Sequence, residues 1–122
     1  MPAEFYRIMH FVGIMLTFLA FGGACLHGMN GGTKEDNKGR KWIAISHGVG
    51  LLLVLVAGFG LLAKGGFSFA GSPWVWVKLV VWLAFGGLMV PIQRKPQLAK
   101  AMWYVVPALG LLAAIMAVLK PF

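Results

Sequence analysis

Three histidines, His10, His27 and His47, stand within or at the end of long apolar runs. Neutral imidazole is a common ligand for haem iron and transition metals. An ionisable side chain inside a membrane span is costly and is a functional candidate by default. His10 and His47 are therefore the candidate metal ligands. His27, beside Gly28 where water is within reach, is a third candidate for holding a cofactor. Arg7 precedes His10 by one helical turn, and Lys78 stands a turn into a later apolar run, behind Trp74. Together they form a cationic rim suited to carboxylates, such as porphyrin propionates, or to an anionic substrate. Long cations near span ends also reach headgroups by snorkelling, with no further role implied.

These side chains must be positioned by helices. Apolar runs fall at about 5–28, 42–63, 74–92 and 101–119. Each approaches the roughly 20 residues that carry a helix across about 30 Å of hydrocarbon. None alternates as a barrel strand does, and lipid offers free backbone groups no partner, so the spans are expected to be helices. The expectation is an all-α integral membrane four-helix bundle, one domain over residues 1–122. A cleaved signal peptide is the weaker reading of the first run, whose core is long for that purpose. The connections agree. Gly28 to Thr33 ends the first helix, Lys34 to Lys41 is a charged link, and Lys64-Gly65-Gly66 closes the second helix. Ser72-Pro73 supplies a cap with proline in the first turn of the third. Pro91 and Pro96 bracket a Gln93-Arg94-Lys95 turn, and Pro107 is expected to kink the fourth span.

His10, Gly13, Thr17, Ala20, Ala24 and His27 follow at alternating spacings of 3 and 4, one stripe of the first helix. His47, Gly50, Val54, Ala57 and Leu61 make a comparable stripe on the second. Small residues arranged in this way let helix backbones approach closely in membranes. Leu19 to Gly23 is echoed by Leu83 to Gly87, but such echoes do not add up to one consistent duplication. Depth limits which histidines can cooperate. At 1.5 Å per residue, His10 and His47 differ by roughly 15 Å in depth and cannot share one iron. By the same rise His27 and His47 lie within about 8 Å, which leaves them open as a pair.

Composition excludes other classes. Hydrophobic residues make up 60% and charged residues 11% of the chain, against about 45–50% and 25% in soluble domains. Cys25 is the only cysteine, so no internal disulfide and no multi-cysteine cluster can form. Cys25 and His27 point to different helix faces, which removes a nucleophile–base pair. The formal charge of +8 comes from bases at the ends of apolar runs. That pattern fits anionic lipid headgroups rather than nucleic acid. Seven of these bases fall on the first and third loops and four on the opposite side. Loops 29–41 and 93–100 are thus expected in the cytoplasm and both termini outside, in a bacterial-type inner membrane. Trp42, Trp74, Trp76 and Trp103 flank span ends as an interfacial belt.

Arg7-x-x-His10 in the first helix, with Trp74-x-x-x-Lys78 after a proline in the third, resembles small multispan proteins of the HemJ-type protoporphyrinogen oxidase group. The SirB-like and CopD-like membrane families share this general form. The resemblance implies a haem-b protein of redox or tetrapyrrole-linked function, with His10 as haem ligand and Lys78 as partner for substrate or propionate. Read from the residues alone, a cofactor-free accessory subunit docking on membrane partners or on its own copies stays open, given 17 glycines. A transporter or channel fares worse, because the spans hold almost no polar path.

Overall fold

The computed structural model describes residues 2–119, and these form an all-α, up-down-up-down bundle of four helices. They are α1 (Ala3–Met29), α2 (Arg40–Lys64), α3 (Pro73–Arg94) and α4 (Ala99–Leu119), with a short 3-10 turn at Pro96–Leu98 leading into α4. All four are long and apolar enough to cross a membrane. At 1.5 Å per residue, α1 is about 40 Å long, enough to pass beyond the hydrocarbon on both sides.

The helix ends follow from a few residues. α1 and α2 stop at paired glycines, with Gly31 and Gly66 at φ +84° and +74°. Both ends are closed by the same pair of backbone bonds. After α1, Gly31 N–H reaches Gly28 O and Gly32 N–H reaches His27 O, each at 3.0 Å. After α2, Gly66 N–H reaches Ala63 O and Phe67 N–H reaches Leu62 O, each at 3.2 Å. This is the Schellman arrangement, and its left-handed residue is most cheaply a glycine. α3 starts with Pro73 in its first turn, but the Ser72 side chain makes no capping bond. α3 also runs through Pro91 to Arg94, two residues past the expected end at 92, so Gln93 and Arg94 belong to the helix and not to a turn. Pro91 gives up only its own N–H; its carbonyl still accepts from Lys95 N–H at 2.8 Å. Pro107 lies inside a continuous α4.

The small-residue stripes set the packing. α1 touches every other helix, most intimately α2, while α2 and α4 occupy opposite corners. A Cβ on Gly13 would lie 2.7 Å from Gly50 O and 2.8 Å from Val54 N. No other residue type permits so close a crossing. Thr17 Oγ1, buried beside it, donates to Gly13 O at 2.8 Å and so spends its own polarity. Below the crossing lies the apolar core: Phe21 and Cys25 from α1, Leu51 from α2, Phe85 and Met89 from α3, Val106 from α4. Phe85 is its centre, with ring centroids 5.6 Å from Phe18 and 5.7 Å from Phe21. Large apolar side chains such as Met15, Leu52, Val56, Leu83 and Leu111 face outward. In water they would be a liability; against lipid they are the expected surface.

Candidate functional site

The close α1–α2 crossing places His10 against the α2 backbone. Its Nδ1 lies 3.0 Å from Val54 O. Gly58, one turn beyond Val54, makes room for the ring: a Cβ there would come 3.3 Å from His10 Cε1. A carbonyl only accepts, so Nδ1 carries the proton and donates. In the neutral ring Nε2 is then the acceptor, the tautomer that suits a ligand to iron or a base.

His10 lines a cavity of about 190 Å³ together with Thr17, Phe18, Lys78, Trp82 and Phe85. Its wall is overwhelmingly apolar. Trp82 is fixed there because its indole N–H donates to Leu51 O at 3.0 Å. Toward the end of the bundle that holds the start of α1, Lys78 also lines a second basin, of about 330 Å³, with Arg7, Lys64, Phe67 and Trp74. Among the described residues, no acidic side chain lines that basin. The cationic rim read from the sequence is thus assembled around Lys78, which joins the His10 cavity to the Arg7 basin, with Lys64 as a further member.

His47 is engaged elsewhere. Its Nε2 lies 2.8 Å from Phe85 O and, facing a carbonyl, acts as donor. The ring stands edge-on to Phe21, at 5.4 Å between centroids. Phe21 is 11 residues past His10 on α1, so the two imidazoles sit at depths about 16 Å apart. His10 and His47 are not brought together, which agrees with the depth argument. His27 is tied to the loop that follows α1. Its Nε2 lies 2.7 Å from both Asp36 Oδ1 and Thr33 O. Asp36 Oδ1 also accepts Thr33 N–H at 2.8 Å. The His27 hydrogen bond, helped by the Thr33 backbone, holds the Asp36 carboxyl below the usual aspartate range. His27 and His47 each aim Nε2 at a different group, so they do not form a pair around one ligand.

Three participants were not singled out from the sequence. Trp82 has a signal in hindsight: it is the tryptophan in mid-span, where an indole N–H needs a partner. Lys64 was read for topology alone. Asp36 lies nine residues from His27 in a charged link, and only the turn at Gly31–Gly32 folds it back.

Comparison with known proteins adds no assignment: no protein family, curated protein or solved structure matches this chain.

Proposed function

We propose that this chain is a multi-pass membrane redox protein whose ligand is held in the His10–Lys78 cavity. His10 Nε2 accepts a proton or binds a metal there, and Lys78 supplies positive charge. The observation that carries the reading is the His10–Val54 bond, which fixes the tautomer of an imidazole lining an apolar-walled cavity next to a cation. The arrangement of Arg7, His10 and Lys78 that resembles the HemJ-type group supports the redox half of the reading. With the basic loops in the cytoplasm, this cavity lies in the outer half of a bacterial-type inner membrane.

Haem b is the ligand that the resemblance implies, and the fit is divided. The donor type suits it: one neutral imidazole with a free Nε2, and cations nearby for propionates. The space does not. A cavity of about 190 Å³ is below the roughly 300–1,000 Å³ that encloses a drug-sized ligand, and a porphyrin with its substituents needs more than the low end of that range. The four helices as packed do not enclose a haem, and no step is assigned to one.

The test is to purify the protein in mild detergent, record air-oxidised and dithionite-reduced spectra, and extract any redox-active small molecule. A chromophore or extractable redox compound retained by the wild type and lost from His10→Ala is the expected result. Equal retention in both, or none in either, sinks the reading. A second reading, an accessory subunit docking on membrane partners, draws on Gly22, Gly48 and Gly87. These helical glycines have open space where a Cβ would stand, so a neighbouring helix has room to approach. Native purification that recovers a stable larger complex favours it.

A further inference from the structure

We propose that the basin lined by Arg7 and Lys64 seats the phosphate of an anionic phospholipid, a site independent of whatever the His10 cavity holds. Packing brings the two cations together. The Tyr6 ring lies where a Cβ on Gly60 would stand, so the start of α1 rests on the end of α2 at that glycine. Arg7 follows Tyr6 directly, and Lys64 ends α2 one turn after Gly60. Both line the same basin of about 330 Å³. Lys78, also on its wall, is already engaged, and the site does not depend on it.

The two charges lack a counterion among the described residues, where the one ion pair is His27–Asp36. Glu4 stands one turn before Arg7 on α1, yet it pairs with neither cation. Glu35 and Asp36 lie in the α1–α2 connection, a full span away. Like charges on one basin repel each other, and an anion between them removes that repulsion. The guanidinium meets phosphate oxygens through paired N–H donors, and the ammonium adds a compact point charge.

Depth favours a lipid phosphate. A helix of about 40 Å, centred on about 30 Å of hydrocarbon, projects by roughly 5 Å, or three residues, at each end. Arg7 is the fifth residue of α1 and so stands at the hydrocarbon edge, while Lys64 is the last residue of α2. Trp74, edge-on to Phe67 at 5.4 Å between centroids, lines the basin, and tryptophan is enriched at this level. Leu61, Leu62 and Val75 continue the wall. They offer an apolar seat to the first acyl carbons, which a small soluble anion would leave unused. In a zwitterionic lipid the ligand's own ammonium offsets its phosphate, so two cations favour phosphatidylglycerol over phosphatidylcholine.

The experiment uses the full chain, delipidated in mild detergent and titrated with phosphatidylglycerol or phosphatidylcholine. Native mass spectrometry resolves the first lipid bound from later ones. Phosphatidylglycerol should bind saturably and more tightly than phosphatidylcholine. Arg7→Gln and Lys64→Gln should each weaken the first binding step about fivefold, the worth of one cation near an anionic lipid. Both side chains are exposed, so neither change disturbs the core, and circular dichroism checks the fold. Lys38→Gln removes the same charge at the opposite end and should leave that step unchanged. Equal weakening in all three variants, or equal binding of the two lipids, is general surface charge and overturns the site. Glycerol phosphate serves as the soluble competitor. Its failure to displace the lipid at equal concentration supports the assignment, and displacement overturns the lipid as occupant in favour of a soluble phosphate ester.

Discussion

Replacing Gly13 by alanine tests whether the α1–α2 crossing is what prepares His10. In the native chain the site of the new Cβ is 2.7 Å from Gly50 O, 2.8 Å from Val54 N and 2.9 Å from Leu53 Cβ. Two of these neighbours are backbone and cannot rotate away. Ordinary contact begins near 3.4 Å, so the helices must part by about 0.7 Å at this level. A gap of that size forfeits a quarter to a half of the dispersion well for each atom pair across it. Overpacking of this kind costs about 1–3 kcal/mol. His10 is one turn away on the same helix. A rigid parting of about 0.7 Å would stretch its 3.0 Å bond to Val54 O to about 3.7 Å, too long for a hydrogen bond. Gly13→Ala should therefore lose stability and loosen the His10 tautomer together. Denaturation in detergent mixtures measures the first, and the imidazole nitrogen resonances measure the second. Gly48→Ala is the control: nothing lies near its Cβ site. There alanine should be neutral or stabilising by about 0.5–1 kcal/mol through helix propensity. If Gly13→Ala proves as stable as Gly48→Ala with His10 unchanged, the crossing argument is wrong.

Other expectations are independent of that one. His47→Phe keeps a ring against Phe21 but removes the donor to Phe85 O, so it should cost about 1 kcal/mol and leave ligand binding at His10 intact; a loss of binding would make His47 part of the site. The Asp36 carboxyl is lowered by its bond to His27. Its contribution is full above the ordinary aspartate value of about 3.9 and disappears as pH falls through the lowered folded value. Protease sensitivity of the 30–39 loop should accordingly rise only below about pH 4, and Asp36→Asn should be sensitive already at neutral pH; identical profiles for the two proteins would remove the staple. Cys25 is 1% exposed and should not react with membrane-impermeant maleimide. New cysteines then report topology: Lys38→Cys should label from the cytoplasmic side and Ser68→Cys from the outside, and the reverse pattern would invert the orientation.

The sequence alone determined the four spans, to within about three residues at each end, because lipid leaves a long apolar run little choice but a helix. It also determined the helix faces. Gly13, Thr17, Ala20 and Ala24 are all buried on α1, and a periodicity of 3.6 is a local property of the chain. The separation of His10 from His47 was likewise readable, since rise per residue fixes depth. What only the tertiary structure decided is what each imidazole touches. A hydrogen bond to Val54 O or Phe85 O joins positions 44 and 38 residues apart. No local pattern says which carbonyl a neighbouring helix will offer. The size of the cavity beside Lys78 was out of reach for the same reason. It depends on how Phe18, Trp82 and the small residues of α4 fill the space between the four helices. Span and face are set by the solvent and the backbone, whereas ligand and partner are set by packing.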